Sequence, residues 1–514
     1  MTRSRWPIVV VLICSLFATG LTRYVASERR TAGRRFGTAT ADSGRSRLSQ
    51  MNSFALALLL GGLRGPLVMI LWSNSESQKS EKNLEGVDTQ IEWIRLLQPE
   101  FDTVHIFQIW NKAYNLSVQM ASLSNKYLTI IDAIDYAHKV DQERPDNINI
   151  LYAIGGIYGD KLGDSAEKYY YTKRVREESQ PHVSKQRLKP DDPGYRRLDL
   201  DPVLDKDGNV LPQYLKSTGV HLADPNIADP NIADDVYDGS ELSFLTRFQP
   251  YKYGVAPHGF GYAYRKRAQL LQRLAQQNHA QLSEVVIDSR PALDLKKWAE
   301  VEWEQARRCE IVAMGKAIPA ERIDMEPVTQ DAAPDAQAAS GKGDLIDQAI
   351  FSYDLGARLT AAADAEYVEH LKRYTLNFQQ YESHRDELHA ERALMLADHD
   401  YLLAMRAAPD SPERAKLLAT AKEQYRRAQV HYALIILRYC TPNEALASVL
   451  PPGVTRQNFP TAMTGKADEL QPEQVLPMLQ GAMQASQQMQ VPMSDDANEY
   501  LKYVERASAR LKHL

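Results

Sequence analysis

Cysteine is scarce in this sequence. Only Cys14, Cys309 and Cys440 occur among the 514 residues, and Cys14 lies within an apolar segment. A disulfide framework needs an even set of paired thiols, and a four-cysteine zinc site needs one more than this chain has. Both architectures are therefore excluded within one chain, and the redox compartment of the protein stays open.

The motifs of the common enzyme classes are also missing. The sequence has no P-loop, no GxGxxG after a strand, no GxSxG elbow and no kinase signature. His384, His389 and His399 share one predicted helix with several acids, but the first two are five residues apart, and four is the spacing that aligns two ligands. We therefore predict no catalytic residues, no metal site and no cofactor.

Positive charge is in short supply outside the N-terminus. Residues 1–50 hold nine arginines and two acids, so the rest of the chain carries 64 acids and 52 bases. An acidic body gains little from the counterion release that drives binding to phosphate backbones. We expect no general affinity for nucleic acid.

Long apolar runs are confined to the first 72 residues. Residues 6–22 form an uncharged run after two arginines, which fits an uncleaved membrane anchor better than a cleaved signal peptide. The second run, residues 52–72, carries Arg64 near its middle, and a central arginine costs about 2.5–3.5 kcal/mol on insertion scales. We favour a broken, protein-buried helix there over a second span. If Met51 is the true start, this second run is the only anchor.

Helical periodicity dominates the chain after the apolar runs. Pro99 and Pro145 lie 46 residues apart and each ends a predicted helix pair, a period typical of tetratricopeptide-like or HEAT-like repeats. An irregular helical bundle is the alternative. We predict an all-α fold: a tetratricopeptide-like solenoid behind an N-terminal transmembrane anchor, with a long irregular insertion and a C-terminal helical block.

The predicted organisation has seven parts. They are a membrane anchor (1–22), an arginine-rich linker (23–50), tetratricopeptide-like repeats (51–180), a polar insertion with an aromatic loop (181–263), a helical segment (264–331), a linker (332–344) and a C-terminal helical block (345–514).

The most unusual local composition lies between Pro250 and Arg267, where aromatic residues alternate with glycines before a basic triplet. Such a segment can stack on bases or bind an anionic partner. We favour the other interpretation, in which the segment returns after the insertion and packs its rings into the groove of the helical stack. The candidate partner-binding residues here are Tyr251, Tyr253, His258, Phe260, Tyr262, Arg265 and Arg267.

Three of the six tryptophans, Trp72, Trp93 and Trp110, fall within 40 residues, and their helical placement predicts core positions. The polar residues beside the last of them are expected to face a concave surface, where helical repeats usually bind peptide segments. This adds Asn111, Tyr114 and Asn115 to the candidate partner-binding residues.

These residues also carry a resemblance. GGLRG at 61–65, followed by Leu71 with Trp72 and by WNKAYN at 110–115, resembles the pattern of a group of bacterial membrane-anchored, tetratricopeptide-like proteins over residues 52–180. Leu63 replaces the aromatic residue common in that group. The resemblance implies a bacterial membrane location and no particular activity.

Together these observations predict a scaffold or adaptor, not an enzyme. Protein partners are expected in a helical groove, and the N-terminal segment is expected to hold the body at the bacterial cell membrane, on a side that the sequence leaves open. The alternative is an enzyme or RNA-binding protein that uses the aromatic-basic segment 250–267.

Overall fold

The computed structural model of the protein describes residues 102–144, 147–179, 254–277, 290–313, 342–373, 378–456, 459 and 470–514, with several positions between 68 and 97. All regular secondary structure in these residues is helical, which confirms the predicted all-α class. The predicted anchor 6–22, most of the polar insertion and residues 332–341 of the predicted linker lie outside the described residues, whereas residues 342–344 of that linker are helical. No helix among the described residues combines the length and the apolar character needed to cross a bilayer.

Thirteen α-helices and three π-helical turns make up the described chain. In order they are α1 (Asp102–Trp110), π1 (Asn111–Leu116), α2 (Ser117–Gln119), α3 (Leu123–Glu143), α4 (Ile148–Gly156), π2 (Ile157–Gly163), α5 (Lys168–Ser179), α6 (Pro257–Gln277), α7 (Arg290–Ala313), α8 (Lys342–Arg373), α9 (Phe378–Arg406), α10 (Pro412–Ile435), π3 (Ile436–Cys440), α11 (Asn443–Ala447), α12 (Pro472–Met489) and α13 (Asp496–Leu511).

The N-terminal helices form two pairs. Helix α1 continues through π1 into α2 and packs against α3, and α4 continues through π2 and packs against α5. Ser122 and Asn147 begin α3 and α4 by accepting hydrogen bonds from the backbone N–H groups of the first turn. The first helices of the two pairs begin 46 residues apart, the predicted period. A solenoid needs three or more stacked repeats, so the tetratricopeptide-like part stays a prediction.

Helix α6 joins these pairs to the C-terminal block, since it packs against α4, π2 and α7. It begins at Pro257, so residues 257–263 are helical and the predicted aromatic loop is wrong there. The turn before it needs glycine: Gly254 has φ +76°, and a β-carbon at that position would collide with the carbonyl group of Arg176.

The C-terminal block of the structure starts earlier than predicted, because it includes α7. Its helices pack in chain order, α7 on α8, α8 on α9 and α9 on α10, with α12 and α13 against α10. Ser411 caps α10 and Pro412 occupies its first turn, as the sequence indicates. The segment from Leu345 to Arg406 forms two helices in series, α8 and α9. Buried apolar side chains from both the N-terminal pairs and the C-terminal helices form one continuous hydrophobic core, whose first and last members in the chain are Ile109 and Ala507.

Candidate functional site

Three glycines allow helix α6 to approach α4 and π2 very closely. Gly155, Gly159 and Gly163 recur every four residues and face α6. A β-carbon on Gly159 would lie 2.8 Å from Asp294 Oδ1, and one on Gly261 of α6 would lie 3.1 Å from the Gly159 α-carbon. We call this contact, with the side chains that cross it, the glycine seam.

Arg265 crosses the glycine seam and binds two carboxylates. Its Nη1 donates to Asp294 Oδ1 at 2.6 Å, and its Nη2 donates to Asp160 Oδ2 at 2.7 Å. The guanidinium also lies over the ring of Tyr152, 5.6 Å from the centroid. Arg265 and Asp294 are only 1% and 2% exposed. Arg265 therefore joins the buried carboxylate of Asp294 to the partly exposed carboxylate of Asp160, across α6, α7 and π2.

Burial and charge act against each other at this cluster. Burial lowers the pKa of Arg265, but Asp294 and Asp160 more than offset that effect and hold its pKa above the ordinary value. Burial raises the pKa of Asp294 to about 7, although Arg265 opposes the shift. The guanidinium therefore stays charged at every pH at which the protein is folded.

His258 fills the other end of the glycine seam, beside Gly163. Its Nε2 is 3.5 Å from Asp164 Oδ1, but burial lowers its pKa to about 4. The imidazole is therefore neutral at physiological pH and offers no positive charge to a partner.

The other candidates on α6 are also buried. Phe260 stacks on Tyr158 with ring centroids 4.9 Å apart, and Tyr262 is enclosed in the core. Lys266 Nζ binds Glu366 of α8 at 2.5 Å, and Arg267 lies 4.0 Å from Asp141 of α3. Residues His258 to Arg267 therefore form no exposed aromatic-basic surface. Carboxylates on neighbouring helices offset the energetic cost of burying these cations. Tyr251 and Tyr253 lie outside the described residues.

The candidates on the first helix have three different environments. Asn111 is buried and accepts a hydrogen bond from Asn115 Nδ2 at 2.8 Å, so neither amide faces an open groove. Tyr114 is half-buried, and its hydroxyl donates to the carbonyl of Gly156 at 3.4 Å. Burial raises the pKa of Tyr114 to about 12. Of the three, Tyr114 is the one that stacks on the exposed ring of Trp110.

The prediction that the tryptophans form core is wrong for two of them. Trp93 is 58% exposed and Trp110 is 47% exposed, because the small cluster of apolar side chains at this end is filled by aliphatic residues from Val68 to Val104. Trp110 instead stacks on Tyr114 with centroids 5.9 Å apart. Trp72 lies outside the described residues.

Sequence reasoning missed a cavity in the C-terminal block. It has a volume of about 230 Å³ and lies between α7, α9 and α13. Six acids line it: Glu300, Glu304, Glu387, Glu391, Asp496 and Glu499. We call it the acidic cavity. Each helix contributes two of these acids three or four residues apart, a spacing that was visible in the sequence but did not show that the three helices converge.

The histidines of α9 are held by neighbouring groups. His389 Nε2 lies 3.3 Å from Asp364 Oδ2, and the same carboxylate accepts from Arg385 at 2.5 Å. His384 stacks on the ring of Tyr367. In the part of the chain that the structure describes, no three ligand-type side chains come close enough to hold a metal ion.

Comparisons of the chain with protein-family models, with curated proteins and with solved structures each give no match. Similarity therefore assigns neither a family nor an activity to this chain.

Proposed function

We propose that this protein is a membrane-anchored helical scaffold or adaptor that binds a protein partner at the cell envelope. The observation that carries the proposal is a row of apolar side chains, two exposed and one half-buried, along the continuous helical run from α1 through π1 to α2. Trp110, Tyr114 and Val118 follow each other at intervals of four residues, and Val118 is 62% exposed. Large aromatic side chains dominate the binding energy of protein interfaces.

The charges around this row favour a protein over lipid as the occupant. The ammonium of Lys161, in π2, lies 5.6 Å from the centroid of the Tyr114 ring. Lys112, which lies in π1 with Tyr114, binds Asp132 at 2.6 Å. An aromatic centre with a charged rim is the usual composition of a protein interface. The hydrocarbon of a bilayer would make these charges costly. We therefore commit to an amphipathic helix of another protein, whose apolar side chains recur at the same spacing.

The membrane part of the proposal depends on the sequence. The apolar runs 6–22 and 52–72 and the resemblance over residues 52–180 support an anchor at the N-terminal end. Met69 and Ile70, at the end of the second run, have side chains open to solvent. Reporter fusions at residue 48 and at the C-terminus will determine on which side of the membrane the body lies.

Photo-crosslinking tests the partner surface. A benzoylphenylalanine at position 110 of the full chain, in native membranes, should give one protein adduct of defined mass. Trp110→Ala should lower co-purification of that same protein at least tenfold. Met405→Ala, which truncates an equally exposed side chain on α9, is the matched control and should leave co-purification unchanged.

Two results would overturn the proposal. One is an adduct with lipid alone at position 110, and the other is partner recovery that is equal in the Trp110→Ala and Met405→Ala chains. The alternative, an enzyme or RNA-binding protein built on segment 250–267, has no observation in its favour, since its described basic residues are buried and face carboxylates.

A further inference from the structure

Half of the carboxyl groups around the acidic cavity already have basic partners. Lys296 of α7 binds Glu387 and lies 3.7 Å from Glu300, and Arg308 binds Glu304 at 2.9 Å. Within the described residues, Glu391, Asp496 and Glu499 form no ion pair. Arg307 also lines the cavity, so acidic side chains outnumber basic ones in its wall six to one.

Glu391 is the most unusual of these acids. It is 6% exposed, it lines the cavity, and its Oε2 has no hydrogen-bond partner. A buried carboxyl oxygen without a partner costs about 1–3 kcal/mol. A protein that keeps such a group beside a cavity has an acceptor in place for a ligand's donor.

Aromatic rings form the other part of the cavity wall. Trp303 and Tyr503 lie with ring centroids 5.0 Å apart, and Tyr500 donates a hydrogen bond to Glu387 at 3.0 Å. The Arg307 guanidinium already lies over Trp303, 5.9 Å from the ring centroid. Carboxylates next to aromatic faces are the environment that organic cations prefer.

We propose that the acidic cavity binds a primary alkylammonium group, carried either by a small free diamine or by the lysine side chain of a protein. The ammonium would donate to Glu391 and lie against the rings of Trp303 and Tyr503, with Asp496 and Glu499 at the mouth. A volume of about 230 Å³ is below that of pockets for drug-sized ligands and suits a chain of a few carbons. This site is separate from the Trp110 surface and does not depend on the function proposed for that surface.

Cation binding should release a proton. Burial raises the pKa of Glu391 well above its usual value; Lys296 opposes the shift, and Glu300, Glu387 and Glu499 add to it. Tyr432 of α10 also lies close enough to Glu391 for the two side chains to affect each other's pKa. An ammonium beside Glu391 stabilises the ionised carboxylate, so the bound proton leaves to solvent as the cation enters. Affinity should therefore increase with pH until Glu391 is ionised in the empty protein.

Calorimetry on the full chain tests the proposal with 1,4-diaminobutane as the probe. Binding should be saturable, its heat should vary with the ionisation enthalpy of the buffer, and 1,4-butanediol, the neutral compound of equal carbon length, should not bind. Glu391→Gln should weaken diamine binding at least tenfold. Glu505→Gln makes the same substitution at an exposed position on α13, outside the cavity wall, and should leave binding unchanged.

A second variant guards against misfolding of the first. Asp496→Asn lies at an exposed position at the mouth and should weaken the diamine about threefold without affecting the fold. A tripeptide with a free lysine side chain and an acetylated N-terminus identifies the source of the ammonium group. Tighter binding of this peptide than of the diamine indicates a protein side chain, and weaker binding indicates a free amine. No binding of either probe, equal binding of butanediol, or unchanged affinity in both cavity variants would overturn the proposal.

Discussion

The glycine seam and the acidic cavity both bury charge where three helices meet, yet they differ in what fills the space between the helices. In the glycine seam, the absence of side chains on three glycines lets Arg265 reach two carboxylates within 2.7 Å. In the acidic cavity, α7, α9 and α13 leave a space of about 230 Å³, and Glu391, whose Oε2 has no hydrogen-bond partner, is part of its wall.

This difference teaches how to interpret buried charge. Desolvation opposes the charged form in both places. At the glycine seam the protein supplies the compensating partners itself, so the cluster is structural. At the acidic cavity the compensation is incomplete, which is the condition under which a ligand can supply it. The presence of buried ionisable groups therefore does not distinguish a site from a structural contact. A single unpaired atom does not either, since Arg265 Nε and Asp294 Oδ2 also lack hydrogen-bond partners. What differs is that ion pairs join the helices at the glycine seam, whereas Glu391 forms none with the described part of the chain.

The largest effect is expected when the ion cluster of the glycine seam is broken. Arg265→Ala leaves the buried Asp294 without its ion-pair partner, while Arg290 stays 3.8 Å from Asp160, and removal of one partner of a buried pair costs about 3–5 kcal/mol. Hydrogen exchange of the α6 amides should show this loss of stability. Arg427→Ala, which removes a solvent-exposed arginine paired with Glu423, should change the stability of its helix by less than about 0.5 kcal/mol. Equal protection in the two variants would contradict the structural role of Arg265.

An intermediate effect is expected at the glycines. Gly159→Ala places a methyl group 2.8 Å from Asp294 and 3.0 Å from Arg265, and such overpacking costs about 1–3 kcal/mol. Gly156→Ala is the matched control on the same helical run, because its nearest contacts would be an ordinary 3.7 and 3.8 Å. That control should stabilise α4 by about 0.5–1 kcal/mol, since alanine favours helix. Urea unfolding midpoints should move in opposite directions, and a shared direction would refute the close approach.

The smallest effect, and one of opposite sign, is expected at the acidic cavity. Glu391→Met removes a buried acceptor that has no partner and should raise stability by about 1 kcal/mol, measured as a higher thermal midpoint in the absence of diamine. The contrast with Arg265→Ala is the sharpest test of the comparison. A destabilised Glu391→Met chain would mean that this carboxyl already has the partners it needs.

Local signals predicted the helices well. Ser411 and Pro412 are residue types that favour a helix start, and they stand at the start of α10, because capping and proline effects act within one turn. The same applies to the 46-residue offset between the first two helix pairs. Such features need no knowledge of distant residues.

The candidate site was less predictable, for a specific reason. Residues up to 263 were predicted to be a loop, and Gly254, with its positive φ, does lie in a turn. At Gly261, however, glycine is required inside a helix because another helix passes 3.1 Å from where a β-carbon would stand. The partners that make burial of Arg265 and Lys266 possible are Asp160, Asp294 and Glu366, which lie between 29 and 105 positions away in the chain.

The amino-acid order alone determined that the described chain is helical and where several helices begin and end, because hydrophobic periodicity, capping and proline act over a few residues. The tertiary structure decided which charges are enclosed, which tryptophans reach solvent and where six acids converge on one cavity. Those outcomes depend on the distance between helices that are remote in sequence, and that distance is set by the side chains of both helices at the contact.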